Sequence, residues 1–309
     1  FGSADVMCVG KAEEPLLKPG QVKVKNVYSA VNPIDWKIRR GDLKLMTGFK
    51  PPKMLGSDFA GEIIEVAADV NNFTVGQRVY GFVDPLKGGG YAECLCVPVK
   101  RIAVIPDTLS FDQAAAIPLS GQTAFQALVG LAAIKKGDEV VINGCSGGVG
   151  VMALQIAKAF GAHVIGVCSE RNTELAKSLG ADQVIDYNKD PGLSTLKNIN
   201  VFFDVVANQS FVSVRNCLSS KGCYITTIPE PISALSFAAT YLLCSKKSYI
   251  VLANSKNEDL QSINQLIMDE KLKPVISHRY KLEEIVEAHQ LSESSRAVGK
   301  ISIEIGATV

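Results

Sequence analysis

The segment 143–150, with the sequence NGCSGGVG, limits what this chain can fold into more than any other feature. It lies between a strand-like run at 138–144 and a helix-like run at 149–160. Glycines let a backbone turn tightly and approach a pyrophosphate, which the free N–H groups of the following helix bind. The spacing is GxxGxxG with one added glycine, so a plain strand–helix turn is the alternative. The pattern predicts a dinucleotide cradle made of Gly144, Ser146, Gly147, Gly148, Val149 and Gly150.

The end of the next predicted strand, 163–168, indicates which nicotinamide cofactor is preferred. An acid there favours the free ribose hydroxyl of NAD, whereas a cation or hydroxyl favours the 2′-phosphate of NADP. Ser169 and Arg171 can both bind a phosphate, and Arg171 can do so with two charge-assisted hydrogen bonds. Glu170 is the competing signal, unless it is a solvated acid near a helix start. The sequence predicts NADPH as the cofactor.

The pattern of short and long runs changes along the chain and predicts two domains. The first third has short alternating strands separated by glycine and proline, typical of a small β-barrel. From about residue 119, strands alternate with amphipathic helices, as in a doubly wound parallel sheet. We predict an α/β protein with a barrel domain at 1–118, completed by 256–309, and a Rossmann domain at 119–255.

Composition excludes some functions. The 309 residues carry 32 Lys and Arg against 31 Asp and Glu, so the net charge is only +1 and no nucleic-acid partner is expected.

The apolar stretch 231–245 either packs as a helix near the substrate cleft, which we favour, or docks on a lipid surface. The eight cysteines are scattered, which favours packed thiols in a reducing compartment. No signal peptide is visible, but the chain begins at Phe1 and not at Met, so its targeting stays open. The reducing compartment indicates a protein that is not secreted.

Eight segments in order resemble the medium-chain dehydrogenase/reductase superfamily over nearly the whole chain. Within it the chain is similar to zinc-free plant chloroplast envelope quinone oxidoreductase homologues and to alkenal/enone oxidoreductases. The resemblance implies a GroES-like barrel domain plus a Rossmann domain, and a cytoplasmic or organellar protein shortened by about one N-terminal strand. The matching segments are NPIDWKIRRG (32–41), LGSDFAGEI (55–63), GQRVYG (76–81), GGGYAE (88–93), AAAIPLSGQTAFQAL (114–128), GCSGGVG (144–150), SLGADQVIDY (178–187) and VGKISI (298–303).

The resemblance also indicates that no metal is bound. Zinc-dependent members carry a Cys and a His–Glu pair where this chain has Val31-Asn32 and Ser57-Asp58. Zinc needs closely placed thiolate, imidazole or carboxylate ligands. The three histidines, His163, His278 and His289, are too dispersed to replace them and are expected to be structural or exposed.

The activity implied by the resemblance is hydride transfer from NADPH to a conjugated acceptor, an α,β-unsaturated carbonyl or a quinone. Asn32 and Thr123 are expected to line the nicotinamide and substrate cleft, although a turn residue and a helix-start hydroxyl are the alternatives. Lys37 is the candidate proton donor or enolate stabiliser, unless it belongs to a solvated basic turn. Asp35 either pairs with a cation or caps a turn, and Asp58 is expected to be structural.

Other residues are implied in cofactor binding, and two properties stay open. The further cofactor-binding residues are Tyr187, Asn208, Leu252, Gly299 and Lys300. The run 248–254 is a candidate edge strand for pairing two subunits, so the chain is expected to be a monomer or a homodimer. The alternative function is a non-catalytic NADPH-binding regulator, such as a crystallin-like protein.

Overall fold

The chain forms two compact units. The computed structural model describes residues 1–50, 53–189, 193, 195–228, 237, 240 and 245–306. The first unit contains Phe1–Gln122, Ser255–Met268 and Pro274–Val309, and the second contains Thr123–Asn254 and Asp269–Lys273. The sequence predicts domain boundaries after residues 118 and 255, whereas the two units meet after Gln122 and after Asn254.

The elements follow the hydrophobic periodicity of the sequence. The described strands are β1 (Gln21–Val31), β2 (Asp58–Val66), β3 (Arg78–Phe82), β4 (Cys94–Pro98), β5 (Ile102–Val104), β6 (Glu139–Asn143), β7 (His163–Cys168), β8 (Gln183–Asp186), β9 (Ile199–Asp204), β10 (Leu218–Thr226), β11 (Lys247–Ile250), β12 (Ile276–Lys281) and β13 (Lys300–Glu304). The described α-helices are α1 (Pro33–Arg40), α2 (Lys44–Thr47), α3 (Phe111–Ala115), α4 (Pro118–Phe125), α5 (Gly148–Ala159), α6 (Thr173–Ser178), α7 (Phe211–Val214), α8 (Asn257–Met268) and α9 (Ile285–Glu293).

The first unit is built on a mostly antiparallel sheet. Its strand order is β12-β13-β1-β2-β3-β5, with β4 also paired to β1. Strand β1 alternates outward and inward side chains, which buries Val22 and Val24 against Phe59 and Ile63 of β2. Two register shifts along the β1–β2 pair mark irregularities of the kind that β-bulges produce. Strand β1 also pairs with β4 through its first half and with β13 through its second half. The ends of β1, β2 and β13 carry the polar residues described below.

The second unit is built on a parallel sheet with the order β11-β10-β9-β6-β7-β8. From β6 the chain runs outward through β7 and β8, and then returns to the other side of β6 with β9. Strands β6, β7 and β9 are buried almost throughout, as expected where helices cover a parallel sheet. Ligands bind such sheets at the carboxyl ends of the strands where the order reverses, here between β6 and β9.

These sheets confirm the predicted class, a GroES-like barrel unit plus a Rossmann-type sheet, with local differences. The run 88–93 lies in the third of the chain for which short strands are predicted, but it forms turns because Gly88 and Gly89 have φ angles of +68° and +116°. The α-helix that follows β7 is short and covers Thr173–Ser178, since Gly180 has a φ of +104°. The segment 231–245 lies outside the described residues except for 237, 240 and 245. Among the described helices, none has the length and apolar character needed to cross a membrane.

Candidate active site

The glycines of the loop between β6 and α5 differ in the space beside their Cα atoms. Gly144 has a φ of +84°, and its N–H and that of Cys145 donate to the carbonyl of Val167 at 3.0 and 3.1 Å. A Cβ on Gly150 would lie 2.2 Å from the Gly144 carbonyl oxygen, so only glycine fits there. A Cβ on Gly147, the N-cap of α5, would meet only that carbonyl oxygen, at 3.6 Å. The space above Gly147 at the helix N-terminus therefore fits an anion such as a pyrophosphate.

A polar clamp joins this loop to the end of β7. The side-chain amide of Asn172, a buried residue, donates to Ser146 Oγ at 3.0 Å and to Ser169 Oγ at 3.3 Å. Asn172 thus fixes two of the predicted cofactor-binding hydroxyls relative to each other. Asn172 was not predicted as a site residue, although its position three residues after Ser169 is a signal for a local hydrogen bond.

Charged residues of both signs lie at the same end of β7. Tyr187 follows β8, and its N–H donates to the Cys168 carbonyl at 3.2 Å, which places it beside Ser169. Glu170, the competing signal for NAD, is ion-paired with Lys189 at the surface. Arg171 is exposed on the 3-10 turn that precedes α6. The ion pair with Lys189 offsets the charge of Glu170. Lys189 was not predicted from the sequence.

At the end of β9, a buried carboxylate organises the turn that carries Asn208. Asp204 is fully buried and accepts from the backbone N–H groups of Ala207 and Gln209 at 2.9 and 2.8 Å. Asn143, the last residue of β6, donates to Asp204 at 2.8 Å and to the Asn208 side-chain oxygen at 2.7 Å. The predicted Asn208 therefore lies at the reversal of strand order, next to the glycine loop. The predicted Leu252 lies two residues beyond β11 and is 69% exposed.

In the first unit, the ends of three strands meet in a buried polar cluster of Asn32, Asp58 and Lys300. The ammonium of Lys300 donates to Asn32 Oδ1 at 2.5 Å, to Asp58 Oδ2 at 3.0 Å and to the Val31 carbonyl at 3.3 Å. The Asn32 amide donates to Asp58 Oδ2 at 2.9 Å and to the Ala30 carbonyl at 3.3 Å. Asn32 was predicted to lie beside the substrate and Lys300 beside the cofactor. The structure brings these two side chains into direct contact.

Asp35 extends this cluster and caps α1. Its Oδ2 accepts from the Asn32 N–H at 2.8 Å, and its Oδ1 accepts from Ser57 Oγ at 2.7 Å. Of the two interpretations of Asp35, a cap of a turn or a partner of a cation, these direct contacts are those of a cap. Burial raises the pKa of the Asp35 carboxyl to about 6, although the hydrogen bonds from Ser57 and Asn32 act in the opposite direction.

A tyrosine links Asp35 to a buried histidine. The Tyr91 hydroxyl lies 3.3 Å from Asp35 Oδ2 and 3.0 Å from Nε2 of His289, on α9. Burial, and then the nearby Arg39, lower the pKa of His289 to about 3, so its ring is neutral. Arg39 is itself buried and ion-paired with Glu293. Tyr91 and His289 were missed as a pair, although a lone histidine on an apolar helix face is a signal for a hydrogen-bonded buried ring.

Two further candidates, Lys37 and Thr123, lie on helices. Lys37 lies in the last turn of α1, half-buried, with its ammonium 5.6 Å from the centre of the Trp36 ring. Thr123 lies on α4 and is buried, at the start of the second unit. His163 is exposed and contacts Glu139, while His278 is also exposed.

Metal ligands do not converge in the part of the chain that the structure describes. Among the described residues, no group of three or more His, Cys, Asp or Glu side chains is placed to hold a metal ion. The cysteines within the described ranges are free thiols. The positions that resemble the zinc ligands of metal-dependent relatives hold an amide, a hydroxyl and one carboxylate already bonded to an ammonium. These residues do not fit a zinc ion.

A glycine cradle at the reversal of a parallel sheet, in a chain that also carries a GroES-like unit, defines an NAD(P)H-dependent oxidoreductase. Comparisons identify its family. Residues 18–107 match the alcohol dehydrogenase GroES-like domain and residues 179–303 match the zinc-binding dehydrogenase family. The chain belongs to the medium-chain dehydrogenase/reductase superfamily, among quinone oxidoreductase homologues. The name of the second family refers to zinc, but the described residues contain no group of side chains placed to bind a metal ion.

Three relatives illustrate the similarity. A chloroplast envelope quinone oxidoreductase homologue of Arabidopsis thaliana is 34% identical, covering 94% of this chain and 91% of the relative. The 2-methylene-furan-3-one reductase of Solanum lycopersicum is 32% identical over 98% of this chain and 76% of the relative. The solved quinone oxidoreductase of Coxiella burnetii is 32% identical, with a TM-score of 0.90 over 99% of this chain and 97% of that one.

Proposed function

We propose that this protein is an NADPH-dependent reductase that transfers hydride to a conjugated acceptor, either an α,β-unsaturated carbonyl or a quinone. The observation that carries the proposal is the glycine cradle, whose space above Gly147 lies on the same sheet edge as Ser169, Arg171 and Lys189. Relatives named as quinone and enone reductases support the class of acceptor.

The cofactor's phosphates fit the cradle by charge. The N-terminus of α5 and the open position at Gly147 would hold the pyrophosphate. Ser169 and Arg171 would hold the 2′-phosphate, and the pairing of Glu170 with Lys189 limits repulsion by the nearby acid. NADH lacks the 2′-phosphate, so it would gain nothing from Arg171.

A conjugated acceptor suits a site whose described residues do not fit a metal ion. When bound, NADPH supplies the hydride. Negative charge then develops on the acceptor oxygen through the conjugated system, and hydrogen-bond donors can stabilise it without a Lewis acid. Asn32 and Lys37, on the turn that follows β1 and begins α1, are the proposed groups that face this oxygen.

The proton that completes an enone reduction needs a donor. Lys37 is proposed for this role because a half-buried ammonium can both stabilise an enolate and transfer a proton. A quinone takes its proton on oxygen, so it depends less on a positioned acid. Water is the alternative donor.

A panel of acceptors tests the function directly. The purified protein is assayed with NADPH and with NADH against quinones, short 2-alkenals, vinyl ketones and long-chain enones. We expect turnover of at least one conjugated acceptor and a higher kcat/KM with NADPH. The matched control for each enone is its saturated ketone, which should not be reduced.

Two outcomes would contradict the proposal. Tight NADPH binding without turnover of any acceptor would favour the non-catalytic regulator. Reduction of the saturated ketones at a similar rate would show that conjugation is not required and would remove the argument from charge delocalisation.

A further inference from the structure

The buried cluster around Lys300 has the composition of a cation site. Three oxygens surround the ammonium, one each from an amide, a carboxylate and a backbone carbonyl, at 2.5 to 3.3 Å. Lys300 is 3% exposed, Asn32 4% and Asp58 0%. An ammonium has three hydrogens, so each has an acceptor and the charge is paired with one carboxylate. A lysine is rarely buried so fully unless it is paired in this way.

The cluster stands where the resemblance puts metal ligands in zinc-dependent relatives. Val31, Asn32 and Asp58 belong to the two residue pairs that align with those ligands, and all three accept from the Lys300 ammonium. A zinc ion among these oxygens would add two positive charges beside an ammonium, with one carboxylate to offset them. Repulsion at such short distances in a buried site is severe.

The ammonium also fixes the direction of the Asn32 amide. Because Oδ1 of Asn32 faces Lys300, the amide nitrogen faces Asp58 and Ala30, and both of its hydrogens have acceptors. The second oxygen of Asp58 accepts from the Leu119 N–H at 2.8 Å, near the start of α4. One lysine on β13 therefore holds the ends of β1 and β2 and, through Asp58, the first turn of α4.

We propose that Lys300 is a built-in cation that takes the place of a metal ion in this cluster, excludes divalent metals from it, and positions Asn32. Lys300 is a positioning residue, because its ammonium acts through Asn32 and Asp58. The part that concerns positioning for catalysis rests on the proposed function, whereas metal exclusion does not.

Three variants test the positioning role. Lys300→Met removes the cation and leaves Asp58 buried with its charge unpaired, which lowers Tm. The double variant Lys300→Met/Asp58→Asn removes both charges and keeps an oxygen for the Leu119 N–H. We expect it to regain most of the lost Tm, while kcat stays about 100-fold below the parent, the size of effect that ångström-scale misplacement produces. Lys281→Met, on the neighbouring strand β12, is the control and should match the parent.

The activity readouts separate positioning from general damage. NADPH affinity, measured by fluorescence titration, should change less than threefold in the double variant, on the order of experimental scatter for an unaffected site. Recovery of both Tm and kcat in the double variant would overturn the positioning role, because Lys300 would then serve only to neutralise Asp58. Loss of kcat together with an equal loss of NADPH affinity would also overturn it.

Metal exclusion is tested without any turnover. The dialysed parent protein is titrated with Co²⁺, whose visible absorption reports coordination, and its zinc content is measured by elemental analysis. We expect no absorption band and no stoichiometric zinc. One tightly bound metal per chain in the parent would overturn the exclusion. If no acceptor is ever reduced, the proposed function fails while this measurement still tests metal exclusion.

Discussion

The hydroxyl oxygen of Tyr91 lies 3.0 Å from Nε2 of His289, and the two rings meet edge to face. The same hydroxyl lies 3.3 Å from the carboxylate of Asp35. One phenol thus connects a carboxyl group whose pKa is raised to about 6 with an imidazole whose pKa is lowered to about 3. Burial is the main cause of both shifts, because it disfavours the charged form of each group. The two groups therefore affect the pH dependence of stability with opposite signs.

The first prediction is that these effects oppose each other between pH 4 and pH 6. The folded pKa of Asp35 lies above its ordinary value of 3.8, so its contribution is present at low pH and is lost as the pH rises through 6. The folded pKa of His289 lies below 6.5, so its contribution is present above that pH and is lost as the pH falls toward 3. The integrated effects are about 3 and about 5 kcal/mol.

Single substitutions should reveal how each group changes the slope of the free energy of unfolding against pH. In Asp35→Asn, the free energy of unfolding should rise more steeply from pH 4 to pH 6 than in the parent. In His289→Gln it should fall over the same range. Urea unfolding at intervals of one pH unit measures both, and His163→Gln, at an exposed ring, is the control. Parallel curves for all four proteins would contradict the assigned shifts.

The second prediction separates packing from cofactor binding in the glycine loop. Gly150→Ala should lower the free energy of unfolding by about 1–3 kcal/mol, because its Cβ would overlap the Gly144 carbonyl oxygen. Gly147→Ala should cost less than about 1 kcal/mol, the range of an N-cap change, since its Cβ meets no close neighbour. Yet the Gly147 variant should bind NADPH more weakly. Unchanged NADPH affinity in Gly147→Ala would place the pyrophosphate elsewhere.

The third prediction concerns cofactor choice. Arg171→Ala should weaken NADPH binding by about 1.5–3 kcal/mol, the range for a hydrogen bond to a charged group, and should barely change NADH binding. Lys189→Ala should act in the same direction, because it leaves Glu170 unpaired near the phosphate. Lys177→Ala, which removes an exposed lysine paired with Glu174, is the control. Equal weakening of both cofactors by Arg171→Ala would make Arg171 a structural residue.

The fourth prediction concerns the proton donor. Lys37→Met should lower kcat for enones by about 10²–10⁴-fold, the usual contribution of a general acid, and should leave NADPH affinity nearly intact. Lys44→Met, at another lysine that lies over an aromatic ring, is the matched control. Steady-state kinetics and fluorescence titration give the two quantities. A Lys37→Met variant within about twofold of the parent would assign the proton to water.

The sequence by itself determined the elements of the parallel sheet and the place of the cradle. Both depend on residues that are close in the sequence. Strand β6, the glycine run and α5 follow one another within about 20 residues, and the glycine spacing sets where the backbone turns. Strand β7 was predicted with its observed bounds for the same reason, since an apolar run bounded by turn residues specifies a buried strand. Ser169 and Arg171, the residues proposed to favour NADPH, also came from neighbouring positions, although Lys189, from the turn after β8, did not.

Only the tertiary structure decided what Asn32, Lys300, Tyr91 and His289 contact. Lys300 bonds to a residue 268 positions earlier, and Tyr91 to one 198 positions later. The alternation in β13 gives no sign that its first residue is a buried cation, because a lysine is buried only when a distant partner compensates its desolvation. That partner, Asp58, is set by the pairing of β1 with β2 and β13. The shifted pKa values of Asp35 and His289 arise in the same way, from burial that the folded chain imposes.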